Sequence, residues 1–537
     1  MNSIAEVCRE AIAFEYRCID RLILNAYIPT LQTPGAMARF MRQVRQQPIL
    51  SGIVFKKLTD QFVGRIKSFA AEQGLEIIAV RGREKPGAGG AAELAKAARQ
   101  GRFGVIAILC HQESSRVFVS THLGGRATNF AAKEDRRLVN HYYFYLRDQR
   151  YGDGFVRISS YPPFQTRIWL NGHGFVAGEL KRRGVGFKTA ENCFVQVDDA
   201  QALQEVADAF TSAAIDRIAR GWLAMLPDPL TASERASGYP TNLSVYQVEF
   251  CENLIFQRTE VLNRVYEQVL KEHLHVGRPD LVKVAFDRRI TRRTPGRFAT
   301  RILRAGTVSC LKAFYKKSFI KQYNKEGRVL RTEVCINDAA DFGAKKGLAH
   351  LEYLERIANH ALTRFTKAQA AAYAPALDRS IFERLVTPSG DEGKRVAAIR
   401  FGTTWAMQVL MALACAGLCF RAFGNRDLRR VLTGRLGVAP EQAKPTRVGY
   451  ELRKLIGKGL VRKAQACNRY TLTDLGYRAV FFLVKTHQRL LGPGLDALDE
   501  SVRACLLAST HDLDRALHRL NVQFDALAAE CGLDLAA

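Results

Sequence analysis

The chain is expected to form several domains of mixed class: an α/β N-terminal domain with a mixed sheet, an α+β central domain with a long helix and a basic hairpin, and a C-terminal module of helices around a short hairpin. Three observations predict this. Its 537 residues, 47% of them hydrophobic, suffice for about three domains with real cores. Apolar patterning changes along the chain from short strand-like runs to long helical ones. Breaks rich in Pro, Gly and Ser at 227–240 and 387–393 separate these textures. The resulting divisions are 1–226, 240–386, 394–490 and a C-terminal helical segment, 491–537.

In the first division, apolar runs at 22–28, 75–80 and 105–109 read as strands, with helical patterns at 36–45, 58–72 and 91–99 between them. That alternation predicts a mostly parallel sheet. Runs at 141–146 and 155–160 flank Tyr151, Gly152, Asp153 and Gly154, a hairpin signal, and 166–170 adds a strand before an expected turn at 171–174. An antiparallel edge follows from these. Residues 200–225 read as helical, and 243–274 carry apolar residues near helical periodicity, which predicts one long helix. Beyond it, 318–324 and 329–337 form an expected hairpin around Lys325, Glu326 and Gly327. Alternation there places Leu330, Thr332, Val334 and Ile336 on a buried face and Arg331 and Glu333 on a charged one. The apolar run 405–420 is too short for a confident membrane span and reads as a core or dimer helix.

Charge is distributed unevenly. Residues 281–330 hold fourteen cations against Asp287 and Glu326, a local net of +12 out of +28, and 443–485 hold ten against Glu451 and Asp474. Cations this dense repel one another unless a polyanion is bound, so a nucleic acid is the expected partner, DNA ahead of RNA. In the central stretch the expected contacts are Arg288, Arg289, Arg292, Arg293, Arg297, Arg301, Arg304, Lys316, Lys317 and Lys321. Phe286, Phe298, Phe314, Tyr315, Phe319 and Tyr323 lie among them, either stacking on unpaired bases or filling the core. Neutralising about ten phosphates predicts a slope of log affinity on log salt of roughly −9.

The twelve cysteines stand singly with no C-x-x-C, which predicts reduced, buried thiols and argues against a zinc site. The first residues lack the order of a signal peptide, so a cytoplasmic location is expected.

The C-terminal segment is the most legible. A capped helix start at 423–431 and a helix at 446–456 precede a strand at 461–463, a turn near Cys467, a strand at 470–472 and a final helix opened by Thr473 and Asp474. With "LRKLIGKGLVRK" and "RYTLTDLGYR", residues 421–485 resemble the winged-helix domain of many DNA-binding regulators. The resemblance implies a recognition helix at 446–454 and a wing at 463–469. Arg447 and Arg453 would then contact bases, while Lys454, Lys458, Arg462, Lys463 and Arg469 would reach phosphate. The whole chain also resembles a largely uncharacterised group of bacterial proteins associated with mobile elements, through Asp20-Arg21, "HYYFYL" at 141–146, "NGH" at 171–173, "QVEF" at 247–250 and "IKQYNKEGRVLRTEVCIN" at 320–337.

Catalytic signals are sparse. Asp20, Glu249 and Glu333 are the carboxylates to test for paired magnesium ions in phosphodiester cleavage, should the chain be a nuclease. His273 and His275 spell a His-apolar-His metal motif that Tyr323 or Tyr315 would serve as nucleophile, but such a pair needs a strand. Gly87, Gly89 and Ala92 spell a weak dinucleotide fingerprint too far from its strand, so a loop is expected. Together these readings predict a nucleic-acid-binding protein, serving DNA recognition for a mobile element and able to cleave or recombine strands. A transcriptional regulator without catalysis and an RNA-binding scaffold are the alternatives.

Overall fold

The computed structural model describes residues 3–491 except 81–85, 127, 276–284, 287–294, 306–307, 373–378, 390–394, 416–421 and 465–467, and beyond 491 only Arg519, Val522 and Gln523. Two compact units emerge. One comprises Cys8–Glu267 and Thr291–Thr363, the other Met1–Val7, Gln268–Ile290 and Arg364–Ala537.

The first unit is built on an eleven-stranded sheet. Its strands are β1 (Ile12–Tyr27), β2 (Ile77–Ala79), β3 (Gly104–His122), β4 (Phe130–Asp148), β5 (Gly152–Ser159), β6 (Thr166–Asn171), β9 (Asn242–Phe256), β10 (Phe298–Ala305), β11 (Val308–Tyr315), β12 (Ser318–Lys325) and β13 (Val329–Ile336). The pair β7 (Phe187–Thr189) and β8 (Phe194–Val197) stands apart as a two-stranded sheet. The order in the large sheet is β10-β11-β12-β13-β9-β1-β6-β5-β4-β3-β2. Hence the segment 227–239 does not divide it: β9, beyond that segment, pairs along nearly the whole of β1.

The sheet is mixed, but the expected proportions are reversed. Only β2 and β3 run parallel, at one edge, and the remaining pairs are antiparallel. The apolar runs at 22–28 and 105–109 mark only portions of strands 16 and 19 residues long, which continue through polar stretches such as 111–114 that carry no strong strand signal. The hairpin at 148–155 forms as β4 and β5. Asn171 through Gly174 is a helix start rather than a turn: the Asn171 side chain accepts from the Gly174 amide and caps the helix Gly172–Arg182.

The single long helix expected at 243–274 is also corrected. Its first half is β9, buried at almost every position, and only Thr259–His275 is helical. A strand covered on both faces loses its alternation and reads like a buried helix. For the same reason β13 has no charged outer face: every residue of it is buried, Arg331 and Glu333 included. The glycines at 87 and 89 lie in the helix Pro86–Arg99, not in a loop, and a Cβ on the adjacent Gly90 would fall 1.9 Å from the Tyr145 ring. Small residues there let the helix approach the sheet.

In the second unit, helices Thr404–Ala414, Asn425–Arg435, Pro445–Gly457 and Asp474–Thr486 surround a core that includes Met407, Leu410, Leu428, Leu432, Val448, Leu452, Leu455 and Val480. The hairpin β14 (Val461–Lys463) with β15 (Tyr470–Leu472) follows the third of these helices, and Phe423 bridges to Tyr470. Thr404–Ala414, within the apolar run at 405–420, packs into this core. Among the described residues no helix is long and apolar enough to cross a membrane.

Candidate nucleic-acid interface and the buried polar cluster

Cross-strand register gathers one polar set on a single face of the sheet. Arg331, Glu333 and Cys335 of β13 stand opposite Asn253, Cys251 and Glu249 of β9, and Tyr323 and Lys321 of β12 stand opposite Arg331 and Glu333. On β1, Cys18 faces Cys251. A register shift between Ile19 and Arg21 leaves Asp20 as an extra residue, and such a bulge lets neighbouring side chains turn to the same side. Asp20 and Arg21 both use this, one reaching Arg331 and the other Glu249.

Asp20, Glu249 and Glu333 therefore converge, with ligand atoms all within 4.8 Å of one another. Each carboxylate is closed by a cation. Arg331, fully buried, forms an ion pair with Asp20 (Nη2 to Oδ2, 2.7 Å), donates Nε to Glu333 at 2.5 Å, and donates Nη1 to the Asn192 carbonyl at 2.8 Å. Glu249 pairs with Arg21, and Glu333 with Lys321 as well. Asp20 also accepts from His173 Nδ1 at 2.9 Å and from the Asn192 amide. Burial by itself would raise the Asp20 carboxyl, but His173 and Arg331 outweigh it and hold it well below the usual carboxylate range. Glu333 is likewise lowered, burial being overcome by Arg331 and Lys321.

Three carboxylates and three cations make this cluster formally neutral. Magnesium needs near-octahedral oxygen ligands and keeps several waters, whereas these oxygens are buried and committed to guanidinium and ammonium groups. The donor set does not fit magnesium. Tyr323 is no better as a nucleophile: its hydroxyl donates to Glu333 at 2.7 Å, and burial and that carboxylate push its pKa up. His273 and His275 end a helix, where residues two apart do not share a face, and their side chains lie outside the described residues.

The same face opens toward β10, β11 and β12. Arg301, Lys312 and Lys321 form one cross-strand row that ends on Glu333, and Phe314 and Phe319 form the next. Arg301 is exposed, and Lys312, Phe314, Phe319, Lys321 and Tyr323 are half-buried. Cations sit on rings throughout: Arg297 lies 3.6 Å from the Phe314 centroid, Lys312 5.0 Å from Phe319 and Lys321 5.7 Å from Tyr323. The opposite side of these strands, with Leu311, Ala313 and Ile320, is core. The aromatics thus divide. Phe286 and Tyr315 are buried, while Phe298, Phe314, Phe319 and Tyr323 retain exposure.

Other expected contacts fare differently. Lys317 pairs with Asp338 at 2.8 Å, and Lys316 lies over Tyr315. Arg288, Arg289, Arg292 and Arg293 lie outside the described residues, as does the side chain of Arg304. In the second unit Arg447, Arg453, Arg462, Lys463 and Arg469 are exposed, Arg447 lies 4.0 Å over Trp405, and Arg469 pairs with Asp427. Lys454 pairs with Glu451 at 2.5 Å. Lys458 does not face outward: it is buried, with Nζ donating to the carbonyls of Arg384 and Thr387 and to Ser389 Oγ.

Lys312, His173, Cys18 and Cys251 join these clusters without having been singled out from sequence. Lys312 was one of the fourteen cations counted in 281–330 and His173 the last residue of "NGH"; Cys18 and Cys251 had no signal of their own. Compared with protein-family profiles, with curated proteins and with solved structures, the chain matches none.

Proposed function

We propose that this chain is a nucleic-acid-binding protein that grips an unpaired strand on the open face of β10–β12 and recognises duplex DNA through its C-terminal module, in the service of a mobile element. The observation that carries the reading is the face itself, where Arg297, Arg301 and Lys312 alternate with Phe314, Phe319 and Tyr323. Rings offer stacking surfaces to bases and the adjacent cations track phosphate, a combination suited to single strands of any sequence. The mobile-element role rests on the resemblance of the whole chain.

For the second unit, the order of helices followed by a two-stranded hairpin, with Phe423 bridged to Tyr470, supports the winged-helix reading. Pro445–Gly457 would then be the recognition helix. Arg447, Tyr450 and Arg453 are exposed on it, while Val448, Leu452 and Leu455 are buried. The geometry favours binding over strand cleavage, because the three converging carboxylates are already neutralised.

Fluorescence anisotropy with single-stranded and duplex oligonucleotides tests the reading. The triple variant Arg297→Ala, Arg301→Ala, Lys312→Ala is expected to lose single-strand affinity, and Phe314→Ala to cost about 1–3 kcal/mol of it. Arg447→Ala with Arg453→Ala should weaken duplex binding and leave the single strand held. Unchanged single-strand affinity in the triple variant would overturn the grip. Binding to RNA alone would instead favour the scaffold alternative.

A further inference from the structure

We propose that Cys18, Cys251 and His173 form a binding site for one thiophilic divalent ion, zinc, at the centre of the sheet. The β1–β9 register sets Cys18 directly opposite Cys251, with the two Sγ atoms 3.4 Å apart. His173 is brought over this pair by Gly172, whose missing side chain allows close approach: a Cβ there would fall 1.7 Å from the Ile19 carbonyl oxygen. His173 Nε2 then lies 3.5 Å from Cys18 Sγ, and all three ligand atoms lie within 4.8 Å of one another.

Zinc bonds sulfur at about 2.3 Å and imidazole nitrogen at about 2.0–2.1 Å, so tetrahedral ligands lie roughly 3.5–3.8 Å apart. The Sγ–Sγ spacing of 3.4 Å and the Cys18 Sγ–Nε2 spacing of 3.5 Å are close to that already, and the third lies within 4.8 Å. Asp20 accepts from His173 Nδ1 at 2.9 Å, which leaves Nε2 as the nitrogen free to take the ion once the ring turns it from Tyr16 Oη toward Cys18 Sγ, now 3.5 Å from Nε2 and 3.9 Å from Nδ1. Tyr16 Oη, 3.2 Å from Nε2, and the Asn253 side chain, with Nδ2 3.3 Å from Cys251 Sγ, adjoin the three ligands and can complete a fourth position.

Charge and softness select the ion. Two thiolates balance a divalent cation in a site where Cys18, Cys251 and His173 are all buried, and a sulfur and imidazole set prefers zinc to magnesium or calcium. Binding releases the two thiol protons to solvent and leaves a neutral bis-thiolate centre. The ion would staple β1, β9 and the start of the helix Gly172–Arg182; β1 and β9 also carry Asp20 and Glu249. Cysteine spacing gives no hint of it, because each ligand comes from a different element.

The full chain, purified without chelator, is expected to carry about one zinc by elemental mass spectrometry. Grown in cobalt, it should show thiolate-to-cobalt charge-transfer absorption. Both signals should vanish in Cys18→Ser with Cys251→Ser and persist in Cys110→Ser. If the double variant does not fold, wild-type protein treated with a mercurial should release its zinc in step with the buried thiols. Retention of the metal by a folded double variant, a Cys18–Cys251 disulfide in the isolated chain, or wild-type protein with neither zinc nor a cobalt spectrum would each overturn the site.

Discussion

Arg331 shows how one side chain can organise a polar core. Its guanidinium is fully buried yet has Asp20 and Glu333 as ion pairs and Asn192 and Asn253 as further partners. Removing it would leave two buried carboxylates exposed to each other's charge. Arg331→Met is therefore expected to destabilise the fold by about 3–5 kcal/mol, read from the midpoint of urea unfolding. A shift within the range of ordinary surface substitutions would show that the network is dispensable. His141 offers a test in the acid range. It is fully buried on β4, where burial foremost, with Arg157, lowers its imidazole from 6.5 to about 4 against the opposing pull of Glu113; Arg167 and His111 also face it. Between those values the unfolded chain takes up a proton that the folded chain refuses, so stability falls as pH drops from 6.5 toward 4. The loss is at most about 3 kcal/mol. His141→Leu should flatten that part of the acid limb, and an unchanged slope in urea titrations at several pH values would assign it elsewhere.

At the scale of elements, the join between β6 and its helix carries the most consequence. Gly172 lies against the Ile19 carbonyl of β1, a backbone atom that cannot swing aside. Gly172→Ala is expected to push the helix off the strand, lowering stability by about 1–3 kcal/mol, and to displace His173 from Asp20. Thermal unfolding with NMR of the His173 ring checks both parts together. The bulge at Asp20 works at the same level: without the extra residue, Asp20 and Arg21 would point to opposite sides of β1. Strands with one half-open face, such as β6, were legible as strands, whereas the alternation read in β13 placed Arg331 and Glu333 on an outer face that does not exist. Alternation failed for β9, whose burial on both faces removes the period.

For the whole molecule, the charge of +28 remains the broadest constraint. Part of the central concentration is neutralised internally, since Lys321, Lys325 and Lys317 pair with Glu333, Glu191 and Asp338. That reduces the expected number of phosphate contacts on the open face to about four. The slope of log affinity on log salt for a single strand is then roughly −3, shallower than −9. A salt titration giving a slope near zero would remove the electrostatic basis of the proposal. The sequence by itself determined the basic character, the mixed α and β composition and the helix-and-hairpin order of the C-terminal module, because charge, hydropathy period and capping residues are properties of neighbours in the chain. Only the tertiary structure decided which charges face one another and which thiols meet. Cys18 and Cys251 are 233 residues apart and Asp20 and His173 are 153 apart, so their encounter depends on strand register and sheet order, which no local pattern encodes.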